Sequence, residues 1–488
     1  MIANDFLLNT HDQALVDVFG DSVFAIGGRV RDHFITKIYE HLLVPKDLDF
    51  VVIGLTLDDV MARLQRIGKT DVVGKSFAGI KVTRPDGEII EIALARKERS
   101  IGPGHKDFEV SFGPEVTILE DAGRRDITIN TISIRLADRQ VFAPAGAFAD
   151  LEAGIIRQAS PTAFAEDPLR ILRAVQFASR FAFSFTIEPV TLAALKQEAH
   201  RITTVTPERI AEELTKLLSK SDKPSIGINL LQELQLLPLT LPELSEGVGF
   251  AQNDWHLYDV FHHNCKALDI AAEIGGDLTD RFAALMHDVG KPRAAGIRPD
   301  GRGASFHGHE DVSASIVKQR LSALRFPNEI VDDVSNLASA HMYTTQMPDG
   351  TPLTDAALRR FMRKVGRGSD DHDVLRQRLE RQFALRHADR HAGSTLTTDV
   401  YNNAAFERRI RAELERIPVM TVKQLDIRGT HVMAAIVAAG LRPATYRGDK
   451  LITTVLKALL ENVTDDPNLN TENTLKAMIP QHLLNLAA

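Results

Sequence analysis

The chain has one cysteine in 488 residues, Cys265, so no internal disulfide can form, which fits a reducing compartment. It has no apolar run of about 18 residues or more, which excludes an ordinary membrane-spanning helix. The first residues, MIANDFLLNTHDQ, lack the basic start and long apolar core of a signal peptide. Neither sign of charge dominates: 58 Lys and Arg stand against 65 Asp and Glu, for a net charge of −7. Such a chain has no global field to attract nucleic acid, so any affinity of that kind must come from local basic surfaces. What remains is the composition of a soluble globular protein, 44% hydrophobic and 25% charged. The length is too great for one core and predicts roughly three or four domains. The expected location is the cytoplasm, with no membrane partner.

The most informative stretch runs from Phe24 to Ile53. An apolar run over 23–26 predicts a strand, Gly27 and Gly28 break it, and a helical segment carrying Arg29, Arg31 and Asp32 follows. Lys46-Asp47-Leu48-Asp49 then opens Phe50-Val51-Val52-Ile53, which reads as a buried strand with two acids at its mouth. Side chains alternate along a strand, so Asp47 and Asp49 share a face. Two such carboxylates repel unless a cation sits between them, and Mg²⁺ suits hard oxygen ligands shared with substrate phosphates. Backbone without Cβ at Gly27 and Gly28 can approach a triphosphate, with Arg31 adding charge.

The order Gly-Gly-x-Val-Arg-Asp, then Lys-Asp-x-Asp on a strand, resembles the head domain of the class II tRNA nucleotidyltransferase and poly(A) polymerase family. Further strands are predicted at 48–53, 79–83, 88–94 and 129–136, with a leading helix over 11–20 and another over 57–66, giving a small mixed α/β head. Alternation places Glu91 on its strand as a third carboxylate, in the Glu-x-Ala-x-x-Arg order of the family. Lys97 to Glu120 has little periodicity and reads as a long irregular loop, the kind that is functional or disordered. In the resembling enzymes it assists the final A addition. Arg124-Arg125-Asp126-Ile127-Thr128-Ile129-Asn130 is close to the family's Arg-Arg-Asp-x-Thr-x-Asn, and the resemblance assigns Arg125 to the triphosphate.

Beyond Arg157 the pattern turns helical. Asp167 suits an N-cap and Pro168 a first helical position, while Asp167, Arg170 and Arg173 step by three beside an apolar stripe of Ile171, Val175 and Ala178. By itself this is an amphipathic helix with a capping acid. The resemblance makes Glu-Asp-x-x-Arg the motif that reads the incoming base, since a carboxylate accepts from an amino group and a guanidinium donates to ring nitrogens or carbonyl oxygens. Gly28, Arg31, Arg125 and Arg173 would hold the nucleotide. Two departures from the family stand out: Gln176 replaces a third arginine, and Ala143 and Ala147 replace an aspartate and a glycine thought to couple head and neck. Val205-Thr206-Pro207-Glu208-Arg209-Ile210 with Glu212 again matches the family.

Ten of the 17 histidines lie between His256 and His391. His287-Asp288 followed by Gly290-Lys291 resembles an HD-type phosphohydrolase centre. The expected ligand set is His263, His287, Asp288 and Asp389, with His309 and His341 available for a second ion, either a divalent transition metal or Mg²⁺. In the tail, Arg428, Arg447 and Lys450 supply charge for RNA phosphate, or the tail is a helical pair that merely dimerises or caps the body.

The resemblance covers nearly the whole chain. It implies a nucleotidyltransferase head at 1–145, a helical neck at 146–235, an HD-type body at 236–400 and a tRNA-binding helical tail at 401–488. The implied activity is addition or repair of the tRNA 3′ CCA end from CTP and ATP, by two-metal transfer on Asp47, Asp49 and Glu91. The alternatives are a bacterial poly(A) polymerase, a CC- or A-adding specialist, an HD phosphohydrolase whose head only binds nucleotide, or a non-catalytic RNA-binding protein.

Overall fold

The computed structural model describes residues 1–44, 48–73, 79–100, 108–252, 257–297, 304–343, 351–393, 398–416 and 418–487. These fall into two compact units, Met1–Ser245 and Glu246–Ala488. The head of the first unit is built on nine strands: β1 (Val23–Ile26), β2 (Asp49–Val52), β3 (Lys69–Val73), β4 (Gly79–Thr83), β5 (Ile89–Leu94), β6 (Arg96–Ser100), β7 (Phe108–Phe112), β8 (Ser133–Arg135) and β9 (Val141–Phe142). Seven form one mixed sheet in the order β3-β4-β5-β2-β1-β8-β9, with β2 and β5 parallel and the other pairs antiparallel. The centre is apolar because all four β1 residues and Phe50, Val51 and Val52 of β2 are buried. Burial on both faces is why those two strands read as continuous hydrophobic runs. The leading helix, Thr10–Phe19, starts on a reciprocal cap in which Asp12 N–H donates to Asn9 Oδ1 and Asn9 N–H donates to the Asp12 carboxylate.

Three parts of the head differ from the sequence expectation. The irregular loop expected from Lys97 to Glu120 is largely ordered: β6 and β7 pair antiparallel, Arg96 opposite Phe112, and the helix Ile118–Gly123 follows on a Thr117/Glu120 capping box. Among the described residues the ribbon pairs only with itself; β6 reads RKERS and has no apolar residue to mark a strand, whereas the alternation in β7, FEVSF, is a strand signal within the stretch. Residues 101–107 lie outside the described residues. Second, the strand expected over 129–136 is a 3₁₀ turn, Thr128–Asn130, followed by the short β8. Asp126 holds that turn by accepting from Ile127 N–H and the Asn130 amide. Third, β3 is a strand beyond the expectation, because this edge strand reads KTDVV and three of its five residues are polar.

The neck is helical, with Leu169–Arg180 packed on Pro207–Lys220 and on Ser225–Glu233. The first of these begins a residue later than expected. Its entry is still tied down by Asp167, whose Oδ1 accepts from Leu169 N–H at 3.1 Å.

The second unit is almost wholly helical. Val260–Glu273, Leu278–Met286, His309–Ala323, Asn328–Ala340 and His372–Gly393 surround the histidine-rich centre. One apolar cluster gathers Leu358, Met362, Leu379, Phe383, Phe406 and Ile410, and a separate one joins the tail helices Gly429–Ala438, Lys450–Asp465 and Glu472–Ala487. Buried Arg359 links them: it donates to the terminal carbonyls of Thr464 and Asp465, capping the second tail helix, and to Glu413 at 2.6 Å. Among the described residues no helix is long and apolar enough to cross a membrane.

Candidate functional site

The turn after β1 sets the first site. Gly27 has φ +68°, and a Cβ there would come within 2.9 Å of Asp49 Oδ2, so both backbone conformation and space require glycine. Strand register completes the arrangement, because Asp49 lies opposite Ile26 on one side and Glu91 on the other. Paired residues in a sheet share a face, so the two carboxylates point the same way. They line an open cleft of about 410 Å³ together with Ile26, Gly79, Lys81 and Arg125. Asp47 lies outside the described residues. Glu91 is paired with Lys81 at 2.8 Å, a cation that no motif singles out.

Arg124 and Arg125 both reach back to buried Asp121, at 2.8 Å and 3.2 Å. Burial alone would raise the Asp121 pKa, but the two guanidiniums hold it below the usual carboxylate value. Arg125 is thereby tied to Asp121 while it lines the cleft. Arg31 is buried beneath the glycine turn. It donates to Asp32 at 2.8 Å and Asn130 at 2.6 Å and sits over the rings of Phe177 and Phe181. A Cβ on Gly28 would lie 3.6 Å from its Nη2.

Asp167, Arg170 and Arg173 share the first two turns around Leu169–Arg180, but their partners differ. Asp167 accepts from Arg209 at 3.4 Å, while Arg170 donates to Ala163 O at 3.0 Å and to Glu166 at 3.3 Å. Arg173 reaches into the head and binds Asp126, next in sequence to Arg125, through Nε and Nη2, both at 2.7 Å. Burial raises the Asp126 pKa, but Arg173, Asn130 and the Ile127 N–H outweigh it and bring the group to about 2. Gln176 is buried, and its amide nitrogen has no hydrogen-bond partner among the described residues. On the neighbouring helix, Glu212 is exposed and Glu213 is buried instead, with Lys216 at 2.7 Å. Helical phase would have found it, because Ile210, Leu214 and Leu217 define the buried stripe in which residue 213 falls.

The second unit holds a different centre. His263, His287, Asp288 and Asp389 bring one ligand atom each within 4.8 Å of one another, and Asp288, His309 and His341 do the same. Asp288 therefore belongs to both groups. His287, His309 and His341 each direct Nδ1 at a backbone carbonyl three residues earlier, at 2.9, 2.7 and 2.6 Å. A carbonyl only accepts, so Nδ1 carries the proton and Nε2 faces Asp288, at 3.3, 3.0 and 3.4 Å. Lys291 adds its ammonium 2.6 Å from the same carboxylate. Burial disfavours charge on His287, yet Asp288 and Asp389 raise its pKa to about 10, and both acids stay well below their ordinary value despite burial. The carboxylate oxygens and imidazole nitrogens gathered around Asp288 are a donor set that fits divalent metal. Gly290 permits the packing, since a Cβ there would meet His309 O and Ser313 N at 2.6 Å.

The fold and these two centres define a nucleotidyltransferase-type head followed by an HD-type helical body. Residues 23–157 match the poly A polymerase head domain, 184–247 the probable RNA and SrmB-binding site of polymerase A, and 260–393 the HD domain. The chain is 33% identical over 431 residues to the multifunctional CCA protein of Nitrosococcus oceani, covering 88% of this chain and 94% of that one. It is 36% identical over 349 residues to the A-adding tRNA nucleotidyltransferase of Deinococcus radiodurans, covering 70% and 74%. In fold it is similar to the Bacillus stearothermophilus CCA-adding enzyme in complex with CTP, with TM-score 0.62, 20% identity and 98% and 99% of the two chains covered. The Thermotoga maritima CCA-adding enzyme complexed with tRNA gives TM-score 0.50 at 20% identity, covering 96% and 94%. The chain belongs to the class II CCA-adding tRNA nucleotidyltransferase and poly(A) polymerase family, with an HD domain.

Proposed function

We propose that this protein is a CTP/ATP:tRNA nucleotidyltransferase that builds or repairs the 3′-terminal CCA of tRNA in the cytoplasm without a nucleic-acid template. The observation that carries the reading is the cleft in which Asp49 and Glu91 lie in register behind the Gly27 turn, with Arg125 on the same wall. It is supported by a relative that shares most of its length with this chain and is named a multifunctional CCA protein.

In this reading Gly27 and Gly28 let the backbone approach the triphosphate, Arg125 holds a phosphate, and Arg31 supports the turn from below. Asp167 and Arg170 select C or A by accepting from the amino group and donating to the ring, and Arg173 keeps that helix in register with the head. Asp47 and Asp49, with Glu91 as a third carboxylate, would hold magnesium, and the histidine centre a divalent metal; when bound, these ions neutralise charge on phosphoryl groups. The histidine centre of His263, His287, Asp288, His309, His341 and Asp389 serves phosphoester hydrolysis, with Lys291 holding Asp288 in place. The head spans 1–145, the neck 146–235, the HD body 236–400 and the tRNA-binding tail 401–488.

A second reading, an A-adding specialist, is favoured by the Deinococcus relative. Incubation with tRNA ending before CCA, with CTP, ATP and Mg²⁺, followed by 3′-end sequencing, separates the two. Complete CCA ends are expected. Addition of A only to tRNA already ending in CC would establish the specialist, and long poly(A) on any RNA would establish a polymerase.

A further inference from the structure

Arg173 has two carboxylates within reach and uses one of them. Its Nε and Nη2 bind Asp126 at 2.7 Å, while its Nη1 lies 4.0 Å from Glu213 Oε1. The two acids are unequally supplied. Asp126 also accepts from the Ile127 N–H at 2.9 Å and the Asn130 amide at 2.8 Å, so it stays solvated by protein without Arg173. Glu213 is 2% exposed, has Lys216 on Oε1, and leaves Oε2 buried with no hydrogen-bond partner among the described residues. A buried, unpaired carboxylate oxygen is costly and calls for a donor. Arg173 is the guanidinium placed to supply one, and with 35% of its side chain exposed it has room to move. The acids also belong to different elements: Asp126 adjoins Arg125 of the head cleft, whereas Glu213 lies on the neck helix Pro207–Lys220.

We propose that Glu213 is a positioning residue for nucleotide addition, the second anchor of Arg173, and that Arg173 passes from Asp126 to Glu213 when a nucleoside triphosphate occupies the head cleft. The hand-over would make nucleotide binding in the head felt at the neck helix Leu169–Arg180, which carries Arg170 and whose entry Asp167 ties down. The proposal rests on the nucleotidyl-transfer reading and adds to it a residue and a movement.

The test uses the full-length protein, wild type and the variants Glu213→Gln, Glu213→Asp, Asp126→Asn and the double variant Asp126→Asn/Glu213→Gln. CTP binding is titrated calorimetrically, and CTP and ATP incorporation into tRNA lacking CCA is followed at steady state. Glu213→Gln keeps the shape and removes the charge, so it should raise Kd and KM for both nucleotides about tenfold, with kcat changed less. Glu213→Asp should recover most of this. The double variant should lose less than the product of the single losses, because both acids act through one guanidinium. Unchanged Kd and KM in Glu213→Gln, a loss matched by a fall in melting temperature without recovery by Asp, or simple additivity would each overturn the proposal. If wild type binds CTP but adds none, the catalytic reading fails while the binding ratios still decide the role of Glu213. If wild type binds no CTP, both fail.

Discussion

Asp126 takes three kinds of donor at once: a backbone N–H, a side-chain amide and a guanidinium. Its pKa near 2 in the fold, against an ordinary 3.8, gives its contribution a definite acid dependence. The charged form is favoured in the fold, so the stabilisation is fully present above about pH 4 and is lost as pH falls toward 2. The amount at stake is about 2 kcal/mol. Acid titration of stability should therefore lose part of its slope in that window in Asp126→Asn, and an unchanged slope would mean the charge is not held there. At the cleft, Asp49 stands exposed at the mouth of β2 and contributes nothing to the apolar core. Asp49→Ala should abolish nucleotide addition with an unchanged circular dichroism spectrum; near wild-type incorporation would sink the carboxylate mechanism. Arg170→Ala should misincorporate UTP and GTP, because a bidentate base contact is worth about 1 to 3 kcal/mol of discrimination. Sequencing of the added nucleotides reads this directly, and faithful addition by that variant would remove Arg170 from base selection.

At the scale of elements, the β6/β7 ribbon corrects the picture of a featureless loop. Among the described residues its strands pair with each other and not with the main sheet, and a ribbon paired only with itself is marginally stable alone. Shortening the stretch between Arg96 and Phe112 should leave C addition largely intact and stop synthesis before the terminal A, as product 3′-end sequencing would show. Full CCA ends from that variant would separate the ribbon from A addition. The neck helix Pro207–Lys220 shows how far pattern alone reaches. Proline at the first turn and the apolar repeat were legible, yet of the adjacent acids Glu212 and Glu213 the motif match favoured the exposed one. Which acid is buried depends on the neighbouring helix Leu169–Arg180, which closes over residue 213 and not over 212.

At the scale of the whole molecule, the nucleotide cleft and the histidine centre lie in different compact units, 1–245 and 246–488. Their chemistries should separate accordingly. His287→Ala should lose bound divalent metal, measured by elemental analysis, and any phosphodiesterase or phosphatase activity, while CCA addition stays within about twofold of wild type. Loss of both activities in a folded variant would show that the histidine centre shapes the tRNA site. Much of this plan was already in the chain. The Gly-Gly turn, the acid-mouthed strand, the proline-led helices and the crowd of histidines are signals readable from residue type and spacing along the chain. Local chemistry does not say which distant groups meet. The register that sets Glu91 beside Asp49, the Lys81 that neutralises it and the convergence of five helices on Asp288 come from strand pairing and helix packing. So does the choice of Asp126 over Glu213 by Arg173. Those partners are brought together over tens of residues by burial of the apolar faces, and only the tertiary structure could decide them.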